Sequence, residues 1–366
     1  MMQGSLNGTS SFQAIPELTS LPTHLGGGLP QIYHNPIPTI PVNPSLLVVP
    51  QPRVIGVAPH SCVNCDNGCH DPCASHGNNP CGGLLGGVEL IWIRPNFDQN
   101  VAMVVDPPIG NKSVPFEYGY RLSPRVWLGW QNRGGTGIRA TYFQIDEAAD
   151  SESITAVAGA TPVYLFVYGA GGNLSRNAYA NTGQTLTSNH ALKLNSLDLE
   201  ATQLHCWRQS RAIFGLGVRI ANIQQTMRAE AFTPGGTLEE AVGNQLDFSG
   251  AGPTVSAQLS RGIGASRFGF FASTRASLLM SETEQRIYEM KGAYTTELED
   301  IAIQRKILSN FELGLGLQFA QPLGRMAVLS VRVGCECQVW FDTGGPVDSR
   351  SNLGFDGITL AMGVNY

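Results

Sequence analysis

The chain has 366 residues, of which 43 are glycine and 22 are proline; only 14% are charged, and the formal net charge is −5. Because nucleic-acid-binding domains usually carry an excess of basic residues, this balance argues against a nucleic-acid partner. A membrane-spanning helix needs about 20 consecutive apolar residues and the sequence has no such run, whereas its hydrophobic content of 42% is compatible with a large core or a membrane-facing β-barrel.

The first 60 residues are rich in proline, glycine, serine, threonine and asparagine, and proline recurs every few residues between Pro36 and Pro52. Proline interrupts helices and removes a donor from a sheet, so we expect residues 1–60 to form an extended or disordered arm. The arm carries only Glu17 and Arg53 as charged side chains and lacks the pattern of a secretory signal peptide. This counts against export, unless a leader was removed or the true start lies upstream.

A cysteine-rich segment, residues 61–85, holds five of the eight cysteines. Thiolates and the nearby imidazoles of His70 and His76 suit a tetrahedral zinc site, but the five cysteines are unequally spaced and do not form two separate pairs. In an oxidising envelope disulfides are therefore favoured over a metal, and an odd cysteine would remain for a bridge between chains. We predict no cofactor or metal, and the disulfide candidates are Cys62, Cys65, Cys69, Cys73 and Cys81.

From residue 86 onward apolar and polar side chains alternate, which is the period of a β-strand. Between Phe311 and Phe319, for example, Phe and Leu occupy the odd positions, whereas Glu, Gly and Gln occupy the even ones. Most runs are about 9–14 residues long, which suits strands that cross a bilayer at a tilt. About twelve runs can be distinguished, near residues 87–95, 115–122, 125–132, 136–146, 152–168, 191–205, 209–231, 245–260, 266–281, 309–320, 325–342 and 355–366.

Short and long connections alternate between these runs, as they do around a transmembrane barrel. Ser123-Pro124 is predicted to be a tight turn. Residues 282–308 are predicted to be a long solvated loop whose spacing allows a short amphipathic helix, the alternative being a loop folded into the lumen. We therefore predict an all-β fold over residues 86–366. It is a closed antiparallel transmembrane β-barrel of about 12 strands, within a range of roughly 10–14, with both chain ends at the short-turn rim.

The alternation does not say which face points inward, because a soluble barrel buries its apolar face and a membrane barrel shows it to lipid. Small and charged residues share one face, and aromatic residues such as Trp92, Trp130 and Trp340 lie near run ends, which favours a polar lumen and an apolar outer surface. Charges of both signs would neutralise one another across a wet lumen. The predicted pore-lining residues are Glu89, Arg139, Asp198, Glu200, Arg211, Arg219, Asp247, Arg275, Glu312, Arg332 and Glu336.

Several runs also resemble one protein family when they are taken in order. They are residues 87–94 (GVELIWIR), 116–129 (FEYGYRLSPRVWLG), 137–143 (GIRATYF), 194–203 (LNSLDLEATQ) and 214–219 (FGLGVR). Together they resemble the Legionella major outer membrane protein family of pore-forming barrels, particularly its planctomycete members, over roughly residues 86–366. The resemblance implies an outer-membrane barrel that acts as a pore. The missing export signal and the cysteine-rich segment depart from the family pattern.

We do not expect an enzyme and name no catalytic residue, because the sequence has no G-x-S-x-G elbow and His205, near a strand end, is more typical of an interfacial side chain than of a base. Cys335 and Cys337 share one face of a strand about 7 Å apart, which is too far for an easy disulfide. They are interpreted as small apolar side chains in the lipid-facing wall.

The sequence as a whole predicts a porin-like barrel of the bacterial outer membrane that lets small hydrophilic solutes diffuse passively, with its N-terminal arm in the periplasm. Because about twelve strands enclose a narrow lumen that side chains can fill, the alternative is a structural or adhesive barrel with a plugged lumen and interaction loops. The expected partners are outer-membrane lipid, small polar solutes and the barrel assembly machinery, the last through the C-terminal strand. We also allow for a homo-oligomer and expect no nucleic acid.

Overall fold

The computed structural model describes residues 82–105, 111–157, 162–170, 175–207, 210–292, 296–323 and 327–366. These ranges contain β-strands and no helix, so the predicted all-β class is confirmed. The strands are β1 (Gly83–Phe97), β2 (Met103–Val105), β3 (Lys112–Val114), β4 (Arg121–Gln131), β5 (Thr136–Ala148), β6 (Glu152–Thr155), β7 (Val163–Tyr168), β8 (Ser175–Ala180), β9 (Thr185–Trp207), β10 (Ser210–Phe232), β11 (Leu238–Gly262), β12 (Phe268–Lys291), β13 (Thr296–Leu323), β14 (Ala327–Trp340) and β15 (Leu353–Asn365). The predicted arm, 1–60, and the five disulfide candidates Cys62, Cys65, Cys69, Cys73 and Cys81 lie outside the described residues.

Ten of the described strands close into an antiparallel ring in the order β1, β4, β5, β9, β10, β11, β12, β13, β14 and β15. The pairing of β9 with β10 completes the ring, and β15 pairs with β1 from Leu85↔Asn365 to Phe97↔Leu353. Spatial order follows chain order, because antiparallel neighbours are joined by direct connections. The predicted closed barrel is confirmed, with ten strands at the lower end of the predicted range.

Two of the predicted runs do not form separate barrel strands. Residues 115–120 carry no strand, and 152–168 contain only the short β6 and β7. The predicted turn Ser123-Pro124 lies inside β4, where Pro124 pairs with Leu90 of β1. On the other side of β4, pairing with β5 begins only at Arg125, so the proline occupies a local strand edge, where its missing N–H is tolerated.

The prediction of an outer loop at 282–308 is also wrong, because β12 and β13 extend through these residues as a long hairpin. The charged residues there alternate with inward-facing ones, as Glu282, Glu284 and Arg286 do with Thr283, Gln285 and Ile287. Oppositely charged side chains face each other across the hairpin: Arg286 Nη1 lies 3.3 Å from Glu299 Oε1. A strand whose exposed face meets water has the same period as one whose exposed face meets lipid, but charged residues take part in its outer face.

The outer surface of the barrel is apolar. Leu313, Leu315 and Leu360 are 36%, 53% and 40% exposed, whereas Arg219 and Arg275, on the opposite face of the wall, are 1% and 8% exposed. Aromatic side chains border this belt, with Trp92 and Tyr142 toward the long-loop rim and Trp130, Trp207 and Phe268 toward the short-turn rim. The arrangement is that of a transmembrane β-barrel and excludes the soluble alternative, whose apolar face would point inward.

Above the belt, toward the long-loop rim, the polarity of the strands is inverted. On β10, for example, Leu216 and Ile220 point outward, whereas Ile223 and Met227 point inward and are fully buried. The side-chain parity of the strand is unchanged, so the switch marks the place where the surroundings of the wall change from lipid to water. Among the described residues no helix is long and apolar enough to cross a membrane.

The two rims differ in part as predicted, but the predicted long loop at 232–244 is a tight turn at Thr233–Gly236 followed by β11. Turns such as Asn132–Gly135 and Ile263–Ser266 lie at one rim, together with both ends of the ring, where the Tyr366 N–H donates to the Leu84 carbonyl oxygen at 2.9 Å. The connections between β1 and β4 and between β5 and β9 lie at the other rim, and they contribute a small sheet in the order β3-β2-β7-β8. We call this sheet the cap. It packs on the inverted part of the wall through an apolar cluster that includes Leu165, Val167, Met227 and Ile287.

Candidate functional site in the barrel lumen

The wall strands bring ten of the eleven predicted pore-lining residues to the inward face. They are Glu89, Arg139, Asp198, Glu200, Arg211, Arg219, Arg275, Glu312, Arg332 and Glu336. Asp247 is the exception: Gln245 Nε2 donates to its carboxylate at 2.7 Å on the outer surface, while its neighbours Leu246 and Phe248 are buried. The prediction for Asp247 is wrong because this part of β11 lies above the belt, where the inward face is the apolar one.

Five of these strands converge on a buried ion-pair network at mid-height. Arg219 donates from Nε to Asp198 Oδ1 at 2.7 Å and from Nη1 to Glu312 Oε1 at 2.6 Å. Arg275 reaches Asp198, Glu312 and Glu200 at 3.2–3.3 Å, and Arg139 donates to Glu200 at 2.7 Å. The contacts from β10 to β13 and from β12 to β9 skip two intervening strands, so they cross the lumen and do not run along the wall.

A second group of charges closes the other side of the lumen. Arg125 Nη2 lies 2.5 Å from Glu336 Oε1 on β14, and its Nη1 lies 2.8 Å from Glu89 Oε2 on β1. The Arg125 guanidinium also stacks over the Phe143 ring, with 5.0 Å between its Cζ atom and the ring centroid. The sequence did not single out Arg125, because Ser123-Pro124 was predicted to be a turn. Arg125 shares the inward face of β4 with Trp127 and Gly129, and this alternation could have identified it as a lumen residue.

An apolar layer lies directly above the charges. It receives inward side chains from every barrel strand except β4, among them Ile91, Phe143, Leu192, Trp340 and Phe355. Trp340 therefore does not belong to the outer aromatic border predicted for it from the sequence: it is fully buried, and the Arg219 guanidinium lies 5.5 Å from its ring centroid. Since the cap cluster covers this layer in turn, side chains fill the lumen from the network to the long-loop rim.

Below the network, a cavity of about 760 Å³ occupies the half of the lumen nearer the short-turn rim. Its inner end is formed by Arg125, Arg275 and Glu312, and its mouth is bordered by the turn after β11 and by Gln321, near the end of β13. The described barrel is therefore open at one end and closed at the other.

A histidine of β9 is buried against β1 and the connection between β3 and β4. His190 is buried, its Nδ1 atom is joined to Tyr118 Oη by a hydrogen bond of 2.8 Å, and the rings of Phe97 and Phe116 lie at centroid distances of 5.3 and 5.6 Å. Burial lowers the pKa of His190 from 6.5 to about 3, so the imidazole is neutral at physiological pH. Burial, assisted by the Glu147 charge, raises the pKa of Tyr118.

No protein-family model and no curated protein sequence matches the chain. Among solved structures, it is similar to the outer membrane protease OmpT from Escherichia coli, with 9% identity and a TM-score of 0.41 over 77% of this chain and 96% of that chain. The toluene transporter TbuX of Ralstonia pickettii has 8% identity and a TM-score of 0.24, over 79% of this chain and 90% of that chain. A Pseudomonas aeruginosa FadL homologue has 8% identity and a TM-score of 0.22, over 78% and 90%.

Proposed function

We propose that the chain is a barrel of the bacterial outer membrane, with its short-turn rim toward the periplasm and its cap outside the cell. The apolar belt with aromatic borders supports a lipid-embedded position, and a barrel with short turns on one rim and long loops on the other usually faces the periplasm with its short turns. As part of the same proposal, we infer that the chain is related to the Legionella major outer membrane protein family, which it resembles in sequence.

Within that membrane we infer a structural or adhesive role, in which the barrel anchors the cap and hairpins at the cell surface and does not conduct solutes in its resting state. One observation carries this inference: an ion-pair network, an apolar layer and the cap cluster follow one another along the lumen. A narrow barrel filled by its own side chains is a packed core rather than a channel.

Conductance in planar lipid bilayers tests this role. We expect the folded full-length chain to give no discrete current steps, with an established porin reconstituted in the same lipid as the positive control. Folding is verified by heat-modifiable migration on a gel. Regular steps from the folded chain, absent from mock preparations, would contradict the closed barrel.

A passive pore for small hydrophilic solutes is the second candidate, and the polar cavity at the short-turn rim favours it. The cavity reaches Glu312 and Arg275, so the ion-pair network and the apolar layer above it would both have to move to complete a path. Liposome swelling separates the candidates: uptake of small sugars by vesicles that contain the folded chain supports the pore, and swelling no faster than that of empty vesicles supports the closed barrel.

A further inference from the structure

Positive and negative side chains inside the barrel are not equally distributed along its axis. Five carboxylates (Glu89, Asp198, Glu200, Glu312 and Glu336) are paired with four arginines (Arg125, Arg139, Arg219 and Arg275). Two further arginines, Arg211 and Arg332, line the cavity below, and no carboxylate of the described residues lies within 4.0 Å of either guanidinium. The side of the network that faces the short-turn rim therefore carries two positive charges without an ion-pair partner in the described barrel.

Arg332 is held in a fixed position. Its guanidinium stacks over the Phe271 ring at 5.4 Å from the centroid, and its Nε atom is buried without a hydrogen-bond acceptor among the described residues. Phe271 fits into the wall because Gly316 and Gly334 leave room for it: a Cβ atom on either glycine would lie within 3.0 Å of the ring. The stacking and the glycines orient the guanidinium at little entropic cost, as a preorganised binding group requires.

Charges of both signs surround Arg332, and two of the three that act on it are positive. Arg211 and Arg139 are the positive charges that act on it, and Glu89 is the negative one. Glu89 is already engaged by Arg125 at 2.8 Å, and Arg139 by Glu200 at 2.7 Å. Like charges in a confined space repel one another, and an anion placed between them relieves that repulsion.

We propose that this cavity is a binding site for a small organic anion, a carboxylate attached to an apolar body. The carboxylate would lie between Arg332 and Arg211, where a guanidinium fork matches its two oxygens. The apolar body would contact Phe271 and Trp127, which also line the cavity. A volume of about 760 Å³ lies within the usual range of small-molecule sites. The site goes beyond the proposed structural role and does not depend on whether the barrel conducts.

Calorimetric titration of the folded full-length chain in detergent micelles tests the proposal with three probes. Benzoate is expected to bind saturably. Benzamide, nearly the same shape without the charge, is expected to bind at least about ten-fold more weakly, because the charge-assisted hydrogen bonds are lost. Inorganic phosphate, an anion without an apolar body, is also expected to bind more weakly than benzoate.

Two variants locate the binding. Arg332→Gln and, separately, Arg211→Gln should each weaken benzoate binding about ten-fold. The matched control is Arg286→Gln, which removes the same charge from the exposed hairpin of β12 and β13 and should leave binding unchanged. Arg211→Gln serves if Arg332→Gln does not fold, as judged by heat-modifiable migration.

Three results would overturn the proposal. They are the absence of saturable benzoate binding to the folded wild type, equal affinity for benzoate and benzamide, and an affinity for benzoate that is unchanged in both cavity variants. Phosphate binding as tight as benzoate would overturn the assignment of the apolar body to Phe271 and Trp127. None of these results bears on conductance, so the proposed anion site and the proposed non-conducting barrel are tested independently.

Discussion

Arg219 shows how a charge is accommodated inside this wall. It is 1% exposed, it pairs with Asp198 and Glu312, it also donates to Asn310, and it lies against the Trp340 ring. Taking such charges out of water is costly, and their mutual attraction offsets that cost only while every partner is present. The contribution of Arg219 is therefore best seen when one partner is removed.

Arg219→Ala should lower the free energy of unfolding by about 3–5 kcal/mol, because Asp198 and Glu312 are left buried without their main partner. The control is Arg286→Ala, which breaks an exposed pair with Glu299 and should cost less than about 1 kcal/mol. Urea unfolding in lipid vesicles measures both. Adding Asp198→Asn and Glu312→Gln to Arg219→Ala should recover part of the loss, and equal losses for the two single variants would contradict this account.

His190 should make the stability of the folded barrel depend on pH. Its pKa is lowered to about 3 in the folded state, so above pH 6.5 the imidazole is neutral in both states and its stabilising contribution is complete. As the pH falls from 6.5 toward 3, the unfolded state gains a proton that the folded state does not. The free energy of unfolding then declines by up to about 1.4 kcal/mol per pH unit.

Thermal unfolding at several pH values between 7.5 and 4 measures this dependence. His190→Gln, which cannot titrate in this range, should flatten it, whereas His205→Gln, at an exposed position on the same strand, should leave the wild-type slope. An identical slope in wild type and His190→Gln would show that another group is responsible.

At the scale of the single strand, the described wall has two environments on one outer face. On β13, Leu313, Leu315 and Leu317 lie in the apolar belt, and Ile303 lies farther along the same face, beside the charged hairpin residues Glu284 and Arg286. All are exposed to the surroundings of the barrel. What distinguishes them is whether those surroundings are hydrocarbon or water.

Leu315→Arg should destabilise the folded barrel in vesicles by about 2–4 kcal/mol, the cost of a cation near the bilayer midplane. Ile303→Arg, the same kind of change on the same face of the same strand, should cost about 0–1 kcal/mol, because it lies above the belt. The folded fraction at increasing urea concentration measures the difference. Equal effects of the two substitutions would mean that the belt does not lie in hydrocarbon.

At the scale of the whole molecule, the sequence was informative wherever local alternation decides the structure. The odd-numbered apolar residues of 311–319 predicted an outer face, and the charges opposite them predicted an inner one. The prediction for Asp247 failed because the same alternation continues past the membrane edge. Beyond that edge the apolar residues face inward and the polar residues face outward. The pattern within a strand does not reveal where that exchange occurs.

The sequence predicted closure of the lumen only as an alternative, and the reason is different. Whether Arg219 meets Trp340, or Arg125 meets Glu336, depends on how many strands separate them around the ring and on their relative height. Both quantities follow from strand count and register, and the predicted count of about twelve came from treating 115–122 and 152–168 as wall strands. A wider ring would have left the same side chains apart and the lumen wet.

The pairing between β1 and β15 must form last if the barrel folds in chain order. Its thirteen paired positions join the first and last wall strands, so the ring has two open edges until β15 is in place. Unpaired edges expose backbone donors and acceptors to other chains. A barrel that lacks only its final strand should therefore self-associate through these edges. A separate peptide with the β15 sequence should pair with both edges and restore a closed, monomeric ring.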